Sequence, residues 1–218
     1  MRGSSIERRT EPKPRGSAAP PGHSTRMKIL LASSEVHPYS KTGGLADMAG
    51  ALAKAVARAG SEVALVTPLH RGILERFPDV HHFDYHLDLP LGSRRVQAQV
   101  YRRHWQKGLT VYFIRQPEFF DRPELYQEHG EGYPDNAARF IFFSKCVVHL
   151  ARYLPLAPQM VHVHDWQVGL VPLMIRHQKS HAGWGTAPHT CLTVHNLAYQ
   201  GVFASSEYQL TNLPWDYW

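Results

Sequence analysis

"MKILLASSEVHPYSKTGGLADMAGALAKAVARAGSEVALVTP", residues 27–68, holds two short apolar runs on either side of one helical pattern. The first run, 27–33, is apolar and stops at polar residues, the mark of a strand buried on both faces. Leu45, Met48, Ala49, Leu52, Val56 and Ala59 then recur at steps of three and four, which lines them along one helical face. Lys54 and Arg58 fall on the other face near the end, where cations suit the helix dipole. Gly60 supplies the stop. "EVALVTP", 62–68, is a second buried strand. The unit is strand, helix, strand, and its crossover is expected to be right-handed.

The pattern continues downstream. "VQAQVYRRHW" (96–105) and "LTVYFIR" (109–115) read as paired strands around a Lys107-Gly108 turn. A long helix is expected over Asn136–Tyr153, with Phe140, Phe143, Val147 and Leu150 on one face and Pro155 just past its end. "MVHVHD" (160–165) is another strand, and a helix should begin near Val171, because Pro172 suits a first turn and little else in a helix. "HTCLTVHN" (189–196) is a further strand. Strands alternating with helices predict an α/β fold with a Rossmann-like, doubly wound, mainly parallel sheet. Ligands bind outside the carboxyl ends of such strands, which puts the loops 34–46, 164–168 and 195–201 on one rim.

Composition narrows the function classes. The 218 residues are 43% hydrophobic and 11% aromatic, enough for a sizeable core. No apolar run approaches the roughly 18 residues of a membrane span. The net charge of +6 sits mostly in residues 1–26, which hold six basic and two acidic side chains. A basic tail is not a basic binding face, so nucleic acid is not an expected partner. That tail is rich in Pro, Gly, Ser and Arg, has no aromatic residue, and reads as disordered. It lacks the continuous apolar core of a secretory signal, and its acidic residues weigh against a plastid transit peptide; a cytoplasmic setting is expected. Cys146 and Cys191 both lie in apolar surroundings and read as buried free thiols of a reducing compartment.

Three strand ends carry candidate chemistry. After the first, Gly43 and Gly44 let backbone N–H groups approach an anion, and Lys41 adds a charge beside the following helix start. The same loop reads equally as a flexible turn with a solvated lysine. Asp47 either favours the helix dipole or meets a sugar hydroxyl. Glu35 and His37 face a ligand or simply occupy a surface loop. After the second, "VHVHDWQ" (161–167) sets His162 and His164 on one face and Asp165 with Trp166 at the end. A zinc reading of His162, His164 and Asp165 fits poorly, because Asp165 follows His164 without a spacer. A carboxylate beside an indole suits a sugar, which offers hydroxyls and apolar C–H faces. After the third, "TVHNLAYQG" (193–201) places His195, Asn196, Tyr199 and Gln200 as donors and acceptors suited to a polyol, or as loop-forming residues.

Taken together, "MKILLASSEVHPYSKTGGLADMAGALAKAVARAG", "DRPELYQ", "YPDNAARFIFFSKCVV", "VHVHDWQVGLVP", "TVHNLAYQGVF" and "TNLPW" resemble the N-terminal half of bacterial glycogen synthases and plant starch synthases. The resemblance implies a GT-B fold, two Rossmann-like domains facing each other across a cleft. It implies retaining transfer of glucose from ADP-glucose to the non-reducing end of an α-1,4-glucan, with no metal or other cofactor. It implies that Lys41, Gly43 and Gly44 approach the donor diphosphate, that Asp165 and His195 belong to the reaction centre, and that Asp47 contacts the acceptor. Trp166, Asn196, Tyr199 and Gln200 complete the expected substrate-binding set. In that family a second domain holds most nucleotide contacts and an essential glutamate. Residues 27–218 would then be the N-terminal part of the catalytic unit, with little activity alone and a separately encoded C-terminal domain as a conceivable partner. The competing expectation is a stand-alone module that binds glucan or sugar nucleotide without catalysis.

Overall fold

The computed structural model describes residues 26–218, so the expectation of a disordered tail falls on residues outside the description. Seven strands form one sheet in the order β3-β4-β5-β2-β1-β8-β9. β1 (Lys28–Ala32), β2 (Glu62–Pro68), β5 (Leu109–Arg115), β8 (Met160–His164) and β9 (His189–Thr193) run parallel. β4 (Arg94–Gln106) pairs antiparallel with β5, and β3 (His81–Leu91) antiparallel with β4. The sheet is thus parallel at its centre and ends on one side in an antiparallel meander. β3 has no counterpart in the sequence reading. Its stretch "HHFDYHLDLPL" alternates Phe83, Tyr85, Leu87, Leu89 and Leu91 with polar residues and Pro90, a period-2 signal that this reading passes over; the three leucines are buried and Phe83 and Tyr85 partly so. A small hairpin, β6 (Gln127–Glu128) with β7 (Glu131–Gly132), lies apart from the main sheet.

Alternation along the central strands divides the core in two. Leu31, Val63, Leu65, Val111 and Phe113 pack with α1 (Gly44–Arg58) on one face. Leu30, Ala32, Ala64, Val66, Val161 and Val163 pack with α4 (Asn136–Tyr153) and α5 (Val171–His181) on the other. The doubly wound arrangement follows from this two-sided burial. Single-turn helices α2 (Ile73–Arg76) and α3 (Pro117–Phe120) fill loops. Among the described residues, no helix is long and apolar enough to cross a membrane.

The buried face of α1 is rotated from the one expected. Leu45 and Ala49 are buried as expected, together with Ala46, Gly50, Ala53 and Ala57, whereas Met48, Leu52 and Val56 only flank the core and Ala59 is exposed. Small side chains let the helix sit close to the sheet and to the loop after β1. Gly50 is the tightest point: a Cβ there would lie 2.6 Å from the His37 carbonyl oxygen.

α4 is buried on almost every side, and its Arg139 is fully buried. Arg139 donates to the Phe119 carbonyl at 2.7 Å, the Leu125 carbonyl at 2.9 Å and the Asn136 side-chain oxygen at 2.6 Å. Burial lowers its pKa to about 10, which leaves it charged at neutral pH. Its hydrogen bonds tie the irregular segment 117–136 to the helix. Cys146 on α4 is buried as expected, but Cys191 is exposed. Cys191 lies on β9, whose outer side meets no further strand among the described residues.

In an open helix, Gly→Ala stabilises by about 1 kcal/mol. At Gly50 the reverse is expected: Gly50→Ala forces the backbone at His37 to move and lowers unfolding free energy by about 1–3 kcal/mol in urea titration.

Candidate functional site at the carboxyl edge of the sheet

Parallel register sets three strand ends side by side. Ala32 of β1 pairs with Val163 of β8, and His164 of β8 with Thr193 of β9. The loops that follow these strands hold the residues singled out by sequence.

In the first loop, Glu35 is buried rather than exposed on a surface loop. It is 3% exposed, and its carboxylate accepts from the Thr42 N–H, from Thr42 Oγ1 at 3.0 Å and from the Gly43 N–H at 3.4 Å. This buried acid folds the loop back and sets the glycines at the start of α1. No side chain caps that helix. Gly43 is extended, and a Cβ on Gly43 or Gly44 would meet no atom within 4 Å. The fold therefore does not demand glycine at either position, and the space before the first N–H groups of α1 is open. Lys41 Nζ donates to Asp47 Oδ2 at 2.7 Å, with both side chains half exposed. That hydrogen bond from Lys41 lowers the Asp47 pKa. Asp47 thus pairs with the lysine rather than capping N–H groups.

At the second and third ends, Asp165 adopts φ 63°, ψ −178°, a region almost reserved for glycine. Its N–H donates to the Thr193 carbonyl at 2.9 Å, and its Oδ1 accepts from the His195 N–H at 2.7 Å. Beside it the imidazoles of His162, His164 and His195 form a row of mutually tilted rings, with centroids 4.3 and 5.4 Å apart. His162 Nε2 meets Thr193 Oγ1 at 2.7 Å, and His164 Nδ1 meets His195 Nε2 at 3.3 Å. These nitrogens are engaged with one another and with Thr193, which is not the convergence on one point that the zinc reading needs.

Trp166 packs edge-on against Phe140 at 5.1 Å and against Phe203 at 5.6 Å. Gly201, at φ 62°, covers the indole so closely that a Cβ would lie 2.4 Å from its ring. One face of the indole is therefore occupied by protein, and its part in sugar packing is confined to what remains. Asn196 Oδ1 accepts from the Ala198 N–H at 3.0 Å and Gln200 Nε2 donates to the Leu197 carbonyl at 3.1 Å, so both shape their own loop. Tyr199 is exposed. A cavity of about 560 Å³ opens here, lined by Phe140, Asp165, Trp166, Leu192, Tyr199 and Phe203 among others. Leu197, Val202 and Trp218 belong to its lining and, with Trp215 against Trp218, expose an apolar shelf at its mouth.

Two contributors escaped the sequence reading. Tyr126 shares a 2.6 Å hydrogen bond with Ser34 and lies between the Glu35 and Asp165 carboxylates; burial first, then these charges, raise its pKa. Through Phe140, whose ring it meets at 5.8 Å, it connects the first rim loop to Trp166 of the second. His70 Nε2 meets the Ser34 carbonyl at 2.9 Å, and burial lowers its pKa to about 4. Tyr126 lies in the "DRPELYQ" segment but is given no role there, and His70 lies in no quoted segment; both act through partners 92 and 36 residues away.

Two measurements follow. Asp165→Gly and Asp165→Ala both delete the carboxylate, but only glycine relieves the backbone; urea unfolding should find the glycine variant more stable by about 1 kcal/mol. His70 and His164 have folded pKa values of about 4 and about 3, against an ordinary 6.5. Both bind protons on unfolding below that ordinary value. Stability should hold above pH 6.5 and fall as pH drops below it, by up to about 1.4 kcal/mol per pH unit for each histidine. Urea titrations between neutral and mildly acidic pH read this directly.

Residues 28–218 match the family described as the starch synthase catalytic domain. A glycogen synthase of Opitutus terrae is 39% identical over 189 residues, covering 86% of this chain and 39% of that protein. A glycogen synthase of Aeromonas salmonicida is 36% identical over 187 residues, covering 84% of this chain and 37% of that protein. Among solved structures, the catalytic domain of starch synthase IV from Arabidopsis thaliana, bound to ADP and acarbose, aligns with a TM-score of 0.72 and 26% identity, covering 87% of this chain and 38% of the other. The chain spans about two fifths of the length of these relatives. Sheet topology, rim loops and sequence similarity agree: the chain belongs to the starch synthase catalytic domain family of glycosyltransferases.

Proposed function

We propose that this chain supplies one wall of the cleft of a retaining glucosyltransferase, which passes glucose from ADP-glucose to the non-reducing end of an α-1,4-glucan. The observation that carries the reading is the open space in front of Gly43 and Gly44, at a helix start that no side chain caps. A diphosphate entering there meets free N–H groups and the positive end of the α1 dipole. Lys41 is held only by an exposed ion pair with Asp47, a weak interaction that an incoming phosphate can replace. The released Asp47 carboxylate is then available to an acceptor hydroxyl.

Asp165 and His195 are the reaction-centre residues of this reading. As the glucose–phosphate bond breaks, positive charge grows at the anomeric carbon and ring oxygen. Groups already fixed in place stabilise that charge without reorganising. The hydrogen bond from the His195 N–H to Asp165 supports such fixity. The Arabidopsis relative, with ADP and acarbose bound, supports a nucleotide diphosphate and a glucan-like sugar as the ligand classes. The apolar shelf of Leu197, Val202, Trp215 and Trp218 supports a seat for further polypeptide, supplied by a second domain fused or separately encoded. Action in the cytoplasm accords with this substrate pair. By itself the 218-residue chain should bind ADP-glucose weakly and transfer little or no glucose.

Calorimetry tests the reading. Gly44→Val should weaken ADP-glucose binding at least tenfold while leaving thermal unfolding nearly unchanged, because the new side chain enters empty space. Equal affinity in the variant would reduce the loop to a turn. Binding of maltooligosaccharide and ADP-glucose that persists when the chain is reunited with a family C-terminal domain, still without transfer, would favour a binding module instead.

A further inference from the structure

We propose that His164 is a positioning residue that holds His195 in the tautomer with its proton on Nδ1. A neutral imidazole has one nitrogen that donates and one that accepts. His164 is 1% exposed; its Nδ1 faces His195 Nε2 at 3.3 Å, and its Nε2 is buried with no hydrogen-bond partner among the described residues. Two assignments satisfy the contact. If His195 donated, His164 would carry its own proton on Nε2, leaving a buried N–H without an acceptor. If His164 donates from Nδ1, the unpartnered atom is only a lone pair. Buried N–H groups without partners are the rarer and costlier defect. The second assignment therefore prevails, and it makes His195 Nε2 an acceptor.

The doubly protonated, cationic form of His164 is closed off. Burial, followed by the neighbouring imidazoles of His162 and His195, holds the His164 pKa down at about 3, so its ring stays neutral. With Nε2 occupied, His195 keeps its proton on Nδ1, the nitrogen with no protein partner among the described residues. Its backbone is held at the same time by Asp165 Oδ1. The peptide and the ring of His195 are thus fixed by two consecutive residues of β8's end. The outcome is one N–H donor of defined position on the rim. Its use rests on the proposed transferase reading: the donor would meet a sugar hydroxyl oxygen.

Long-range ¹H–¹⁵N correlation spectra of the ¹⁵N-histidine-labelled chain, at mildly alkaline pH, read each tautomer directly. A His195→Gln sample identifies the signals. The expected spectrum shows His195 Nδ1 protonated and Nε2 bare. His164→Asn, whose amide N–H can donate from a similar place, should preserve that pattern. His164→Leu should shift the His195 proton toward Nε2. A wild-type His195 carrying its proton on Nε2 would overturn the proposal, as would an unchanged tautomer in a folded His164→Leu chain. If the leucine variant fails to fold, the wild-type spectrum and the asparagine variant still decide. The spectra need no ligand, so a failure to bind ADP-glucose would sink the transferase reading and leave the tautomer result standing.

Discussion

The hydrogen bond from the His195 N–H to Asp165 Oδ1, at 2.7 Å, joins the ends of two adjacent parallel strands just where their ladder runs out. Parallel strands leave the last amide and carbonyl groups of each end unpaired, and here one side chain takes up that role. To reach, Asp165 accepts a backbone conformation that costs about 1–3 kcal/mol for a residue with a Cβ. Such a cost persists only where surroundings over-determine it. The Asp165 N–H on the Thr193 carbonyl, the His162 contact with Thr193 and the row of imidazoles provide that determination. Strain at a strand end on the ligand side of an α/β sheet is a mark of function more than of folding.

Buried polar groups organise the rest of the rim. Glu35 is an acid enclosed by the loop it folds, and its acceptors satisfy Thr42 and Gly43. Arg139 is a cation enclosed by carbonyls, and it restrains the segment that carries Tyr126. Tyr126 then bridges to Ser34, and its neighbour Phe140 meets Trp166. The three loops are thus one connected body, although the segments that touch are far apart in the chain. Each of these groups would be expensive to bury unpaired, and pairing turns that expense into a unique geometry.

Some expectations were legible because they rest on local physics. The helix over 136–153 follows from a dense apolar period. The turn at Gly108 and the stop at Gly60 follow from positive φ values that glycine alone tolerates cheaply. Pro172 marked the start of α5 for the same kind of reason. Expectations failed where side-chain size or a distant partner decided the outcome. Met48, Leu52 and Val56 of α1 lie to the flanks, since close packing on the sheet selects its alanines. Trp166 reads as an open sugar platform until Gly201, 35 residues on, is seen to cover it. Glu35 reads as a surface acid until Thr42 and Gly43 are seen to enclose it.

The amino-acid order alone determined the alternation of strands and helices, the parallel sheet and the edge where the motif-bearing loops emerge, because periodicity and turn chemistry act over a few residues. Tertiary structure alone decided which polar side chains stay open at the rim and which are consumed in holding the loops. It also decided the rotation of α1, the place of β3 at the sheet edge and the imidazole row beside Asp165. Those outcomes depend on contacts between residues far apart in the chain, where the energy of a buried hydrogen bond or a close backbone approach leaves no local trace.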